Sequence, residues 1–185
     1  MRNYLKIIFT FFLLSYFVHG QIKRIYILDI NKGDMPNDTS GAEIILSDEN
    51  VLKEGDLSLK IKWISSGWVG EWQPKKANWS GMKKIKFNAY SVSEKEKIMS
   101  FVIKDDKSTS DRNTWAIIFF KLKPKMNKIE LDLENLKTKG NSRVINLNQI
   151  RQWHFTYCFF PEDGREEKNF EEYTVYISNL RVESE

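Results

Sequence analysis

A period of two runs through this chain, and nowhere does a helical period of 3.6 take over. Successive side chains of a strand point to opposite faces, so alternation of apolar and polar residues marks a half-buried strand. In DLSLKIKWI, Leu57, Leu59, Ile61 and Trp63 face one way, and Ser58, Lys60 and Lys62 the other. MKKIKFNAYS sets Ile85, Phe87 and Ala89 against Lys84, Lys86 and Asn88, and NKIELDLENL sets Ile129, Leu131 and Leu133 against Lys128, Glu130 and Asp132. WHFTYCFF places Trp153, Phe155, Tyr157 and Phe159 opposite His154, Thr156, Cys158 and Phe160. YTVYISNLRV closes the chain with Val175, Ile177, Leu180 and Val182. KIMSFVIKDD and TWAIIFFKL are apolar on both faces, as expected in the middle of a sandwich. LENLKTKG has room for one short helical turn. Between the runs lie segments rich in Gly, Pro, Asn and Asp: NKGDMPNDTSG, DDKSTSDRN and FPEDGREEKN. About eight strands at this spacing predict an all-β fold, an antiparallel β-sandwich or jelly roll.

The first twenty residues stand outside this pattern. MRNYLKIIFTFFLLSYFVHG has Arg2 and Lys6, then an apolar run from Ile7 to Val18, then small Gly20. That is the layout of a cleaved signal peptide, with a run too short for a membrane span of about 20 residues. It predicts export to the cell envelope or the exterior, no membrane span after cleavage, and a single domain over 21–185. Removing Arg2 and Lys6 from the 29 basic residues leaves 27 against 25 acidic ones. The remaining net charge of +2 is interleaved rather than clustered, which argues against a nucleic-acid partner. The densest basic stretch, KKANWSGMKKIK, reads as a solvated strand face. Cys158 is the single cysteine, so no intramolecular disulfide forms and the fold rests on its core. Its apolar setting predicts a buried, inert thiol.

Four pieces resemble a known family: GDLSLKIKW, NWSGMKKIKFNAYS, LKPKMNKIELDL and VYISNLRV. In this order they resemble the galactose-binding-like jelly roll of secreted carbohydrate-binding modules, over residues 54–182. The resemblance implies a β-sandwich that binds a glycan without catalysis. It also implies a structural role for Trp79 in NWSG. Two positions depart from the family's pattern. Lys125 stands where the family's turn has Gly. Ser178 stands where its last strand has an Asp that helps hold a structural calcium. Hard cations want several oxygen ligands, preferably charged. With that carboxylate missing the metal is left open; Asp29 and Asp34 in LDINKGD are the donors that remain.

WVGEWQPKKANWSG gathers Trp68, Trp72 and Trp79 into a short stretch. Trp79 belongs to the core by resemblance and by the general preference of Trp for burial. Trp63 and Trp153 belong there by parity. Trp68 and Trp72 lie among Ser, Gly and Pro, outside any alternating run, and read as loop aromatics. A flat aromatic ring covers the C–H face of a sugar and loses little rotamer entropy in doing so. A second group of candidates, in IKDDKSTSDRNTWAI, is expected to meet at one end of a hairpin: Asp105 and Asp106 with Asp111, Arg112 and Trp115. Carboxylates, a guanidinium fork and an indole suit a polyhydroxyl ligand. Tyr90 and His154 lie opposite the core parity, His154 reading better as a structural histidine. The candidate ligand-binding set is Trp68, Trp72, Tyr90, Asp105, Arg112 and Trp115, with rim cover or a polar turn as the competing reading of each group.

Catalysis is not expected. His154 is the one histidine left after residue 20, which excludes a multi-histidine metal site within one chain. There is no GxSxG elbow and no Gly-rich phosphate loop. His154 and Cys158 share a face but stand roughly 13 Å apart along a strand, too far for a dyad. Carboxylate pairs are numerous, and none stands out. The sequence therefore predicts an exported module that binds glycan, with a protein-binding adhesion or assembly module as the alternative.

Overall fold

The computed structural model describes residues 22–140, 142–157 and 170–185. The leader segment, Cys158 and the whole acidic loop FPEDGREEKN through Asn169 lie outside the described residues, as do the expectations attached to them. Nine strands are described: β1 (Arg24–Tyr26), β2 (Asp38–Ser47), β3 (Ser58–Trp72), β4 (Lys84–Ser91), β5 (Lys97–Asp105), β6 (Ala116–Leu122), β7 (Lys125–Asp132), β8 (Ile150–Tyr157) and β9 (Tyr173–Glu183). All pairings are antiparallel, and the hydrogen-bonded order is β6-β5-β8-β3-β9-β4-β7, with β1 on β9 and β2 on β3. The expected all-β antiparallel jelly-roll sandwich is the observed fold. Among the described residues no helix is long and apolar enough to cross a membrane.

β3 folds this continuous sheet into two layers. Its first half, Leu59–Trp63, pairs with β9, and its second half, Gly67–Trp72, pairs with β8. β2 follows it through the bend, with a register shift between Ser40 and Ala42. The close approach explains the glycines. A Cβ on Gly67 would sit 2.0 Å from the Ser40 carbonyl oxygen, and Gly41 has φ +69°. β3 turns its odd face inward: Leu59, Ile61, Trp63 and Val69 are all buried. The layers meet through aromatic edges. Phe87 of β4 lies 5.4 Å from Phe120 and 5.2 Å from Phe155, while Phe101 stacks on Trp153 at 5.6 Å. Such offset and T-shaped pairs add to the stabilisation from burial alone. Trp63, Trp79 and Trp153 are fully buried, as their parity and position predict.

Two local expectations are corrected. Trp68 and Trp72 are not on a loop: they lie on the second half of β3, where SSGWVGEW is regular strand. Glycines 67 and 70 disguise that strand because they stand where neighbouring backbones leave no room for a side chain. LENLKTKG makes no helix; a turn closed by Leu136 N–H to the Leu133 carbonyl leads into a single bridge between Lys137 and Val144.

Candidate functional site

The outward face of the β3-β8-β5-β6 layer is set by register. One row across it runs Trp68, Thr156, Ser100, Phe119; the next runs Gly70, His154, Val102, Ile117; the third has Trp72, Gln152 and Lys104. Asp38 and Ser40 of β2 extend the rows beside Gly70 and Trp68. Trp115, just before β6, joins the same face and packs on Val102 and Ile117 outside the main core. From β3 to β6 is three strand spacings, roughly 14 Å, about the span of a sugar unit and its neighbours.

Three rings form the floor. His154 lies between Trp68, at 6.4 Å, and Trp115, at 6.5 Å and nearly perpendicular. His154 is buried, and among the described residues its Nδ1 has no hydrogen-bond partner. Burial and then the charge of Lys104 hold its pKa down at about 3, so the ring is neutral at any ordinary pH. Trp68 Nε1 donates to Asp38 Oδ1 at 2.9 Å, and Gln152 Nε2 donates to Asp38 Oδ2 at 2.5 Å. Ser100 and Thr156 bond to each other and are closed off beneath the neighbouring side chains. What stays accessible is Trp72, half exposed at 50%, with Phe119 and Ile98 at 42% each and part of Trp68. Trp72 is held at its backbone, where its N–H and carbonyl both bond the Asn37 side chain. Its ring is therefore displayed from a rigid strand.

The candidate residues divide accordingly. Trp68, Trp72 and Trp115 share the face, and Arg112 sits half-buried in the short 3-10 turn Arg112–Thr114 that leads into Trp115. Trp115 is only 8% exposed: its Nε1 donates to the Thr109 carbonyl at 2.6 Å, and Lys104 Nζ covers its ring at 3.6 Å. It is a seat for Lys104 rather than an open platform. Asp105 does not meet Arg112. It has no exposure, and accepts from Arg143, Ser108 Oγ and the Lys107 and Asn146 N–H groups. Burial pushes its carboxyl up, and Arg143, Asn146 and Ser108 outweigh burial and hold it below the usual range. With every oxygen engaged, it fixes the loop that carries Trp115 rather than a ligand. Tyr90 is on β4, in the other layer, 6.2 Å from Tyr176; its face is the opposite surface of the sandwich. Sequence reasoning missed Lys104, Asp38, Gln152 and Phe119, and underrated His154. The even parity of Gln152, His154 and Thr156, opposite the core of β8, was the signal for two of them.

A cavity of about 420 Å³ lies elsewhere, lined by Tyr26, Asp29, Lys32, Asn88 and Ser178 among others. It brings together Asp29 and Ser178, two positions that bear on a calcium site. Asp29 Oδ2 is 2.8 Å from Lys32 Nζ, and Asp34 Oδ2 accepts the Asp29 N–H. These oxygens already serve the loop and an ammonium, so they do not make the charged oxygen set that calcium wants. Among the described residues no group of three His, Cys, Asp or Glu side chains is placed to hold a metal ion.

No family model matches the chain, and no curated protein matches it in sequence. Solved structures do. The agarase AgWH50C is similar over 88% of this chain at 17% identity and a TM-score of 0.62; this chain spans only 24% of that enzyme. A family 11 carbohydrate-binding module from Clostridium thermocellum, solved with a β-1,3-1,4-mixed-linked tetrasaccharide, matches 77% of this chain and 84% of its own at 15% identity and a TM-score of 0.54. A family 30 module of a cellulosomal cellulase of the same organism matches 88% of this chain and 98% of its own, at 12% identity and a TM-score of 0.54. At these identities the likeness is one of fold, and the chain has the galactose-binding-like jelly-roll fold of carbohydrate-binding modules.

Proposed function

We propose that this protein is an exported, non-catalytic module that binds a glycan chain on the outward face of the β3-β8-β5-β6 layer. The observation that carries this reading is the set of strand-borne aromatics on that face: Trp72 and Phe119 exposed on strands, Trp68 between them in register, and a floor of His154 and Trp115 beneath. Exposed indole and phenyl faces offer the flat apolar surface that a sugar's C–H face needs. The shared fold supports the reading, as does a match that spans nearly the whole of a family 30 module. A shallow face of this kind gives affinities of about −4 to −8 kcal/mol, that is, micromolar to millimolar.

A binding screen of the purified protein against soluble and insoluble polysaccharides, mixed-linked β-glucan and agarose among them, tests it. Saturable binding to one glycan class that is weakened about tenfold in Trp72→Ala supports the assignment. Absence of binding to every glycan, by a folded protein, overturns it in favour of a protein-binding module that uses the same aromatics as interface anchors.

A further inference from the structure

Lys104 differs from the paired strand lysines, and from the exposed Lys125 and Lys128 of β7 in being half-buried. Lys60, Lys84, Lys86, Lys97 and Lys121 each have a carboxylate within 3.2 Å. Lys104 is half-buried, and among the described residues its ammonium has no ion-pair or hydrogen-bond partner; it lies over the Trp115 ring at 3.6 Å. The carboxylate that acts on it is Asp38, across β3 and β8, and both Asp38 oxygens are already taken by Trp68 and Gln152. Burial pulls the Lys104 pKa down to about 8, and Asp38 opposes only part of that.

A buried cation without acceptors is costly. The face of Trp115 offsets some of the cost through the ring quadrupole. It offers no lone pairs for the three N–H donors of an ammonium. On the neighbouring strands of this face the other titratable side chains are His154 on β8, neutral as shown above, and Lys121 at the far end of β6, paired with Glu96; the turn before Trp115 carries Asp111 and the cationic Arg112. Among the described residues, Asp38 is the carboxylate whose charge acts on the Lys104 ammonium. The covered Trp115 ring also leaves no surface there for stacking, so the ammonium, rather than the indole, is what a ligand meets.

We propose that Lys104 selects acidic polysaccharides, its ammonium receiving a carboxylate or sulfate-ester group of the chain bound along this face. The inference rests on glycan binding at this face and adds the class of glycan. An anion supplies the missing acceptors as a charge-assisted hydrogen bond, the stronger kind.

The test compares polygalacturonate and alginate, which carry carboxylates, with carrageenan, which carries sulfate esters, and with neutral mixed-linked β-glucan and agarose. Each is titrated by calorimetry into the wild-type protein, Lys104→Met and Lys104→Arg. The Met variant keeps the cover over Trp115 and removes the charge. The expected result is at least about tenfold preference for one acidic class, lost in Lys104→Met and kept in Lys104→Arg, on the scale of one hydrogen bond to a charged group. Wild-type affinity for the acidic chain should also weaken between pH 7 and pH 9, as Lys104 loses its proton, and the Arg variant should not share that loss. Equal binding of neutral glycans with no effect of Lys104→Met overturns this inference and leaves the glycan-binding reading standing. Absence of binding to all five polysaccharides overturns both.

Discussion

Arg143 grips Asp105 with both arms of its guanidinium, at 2.5 and 2.7 Å, across 38 residues of sequence. The pair ties the end of β5 to the segment before β8, and Ser108 joins it from the loop between β5 and β6. Asp105 has no exposure, so removing either partner leaves a charge stranded. Asp105→Asn should cost about 3 kcal/mol in urea denaturation, the scale for breaking a buried pair. Its carboxyl is held below its ordinary value of 3.8, so the pair's contribution is complete above that pH and is lost as pH falls through the lower, folded value. A variant as stable as wild type would mean that the loop holds itself.

Gly70 on β3 faces His154 and Trp153 across the pairing with β8. A Cβ there would lie 1.9 Å from the Trp153 carbonyl oxygen, an overlap with backbone that no rotamer relieves. Gly70→Ala should destabilise by at least about 3 kcal/mol, the upper range for overpacking. Thermal unfolding of the variant measures this. Gly55, with open space around it, is the control for a glycine whose change strains only the local backbone.

The same glycines mark where the sequence could be read and where it could not. Alternation identified the buried Trp63 and Trp153 and the core faces of β4, β8 and β9, because one buried face forces a period of two; Trp79 was placed in the core by resemblance. It failed in SSGWVGEW, where glycine is present for backbone clearance and looks like a loop signal. Parity placed Tyr90 outward correctly but is silent on which layer carries a strand, and the layer decides whether Tyr90 can join Trp68. The Asp105–Arg143 pair left no trace, since contact across 38 residues depends on the path of the chain. Lys104 carried no signal in the sequence; its meaning comes from the lack of a partner, which only packing reveals.

Trp68 and Trp72 are neighbours on one face but should respond differently to replacement. Trp72 is half exposed, and its fixed contacts are through its backbone. Trp72→Ala should change stability by no more than about 0.5 kcal/mol. It should weaken glycan affinity by about 1.5 kcal/mol, roughly tenfold. Trp68 bonds Asp38 and packs on His154. Its replacement by Ala should cost about 2–3 kcal/mol of stability as well as affinity. Denaturation and glycan titration on the two single variants separate these outcomes, and a Trp72→Ala protein with intact binding would move the site off this face.

His154 should be visible in the pH dependence of stability. Its folded pKa of about 3 lies well below the ordinary 6.5, because the neutral ring is buried beside Lys104. Below pH 6.5 the unfolded chain takes up a proton that the folded chain refuses. Stability is therefore complete above 6.5 and declines as pH falls toward the folded value. Between pH 6.5 and 5, above the ordinary range of the carboxylates, the loss should be about 1.5 kcal/mol, given 1.36 kcal/mol per pH unit for one proton. His154→Phe keeps a ring between Trp68 and Trp115 and removes the unpartnered Nδ1, so it should fold at pH 7 with nearly wild-type stability. Urea titrations of both proteins at pH 5, 6 and 7 decide the matter. The variant's stability should be flat over this range while the wild type declines. Parallel curves would mean that the folded protein lets His154 take the proton.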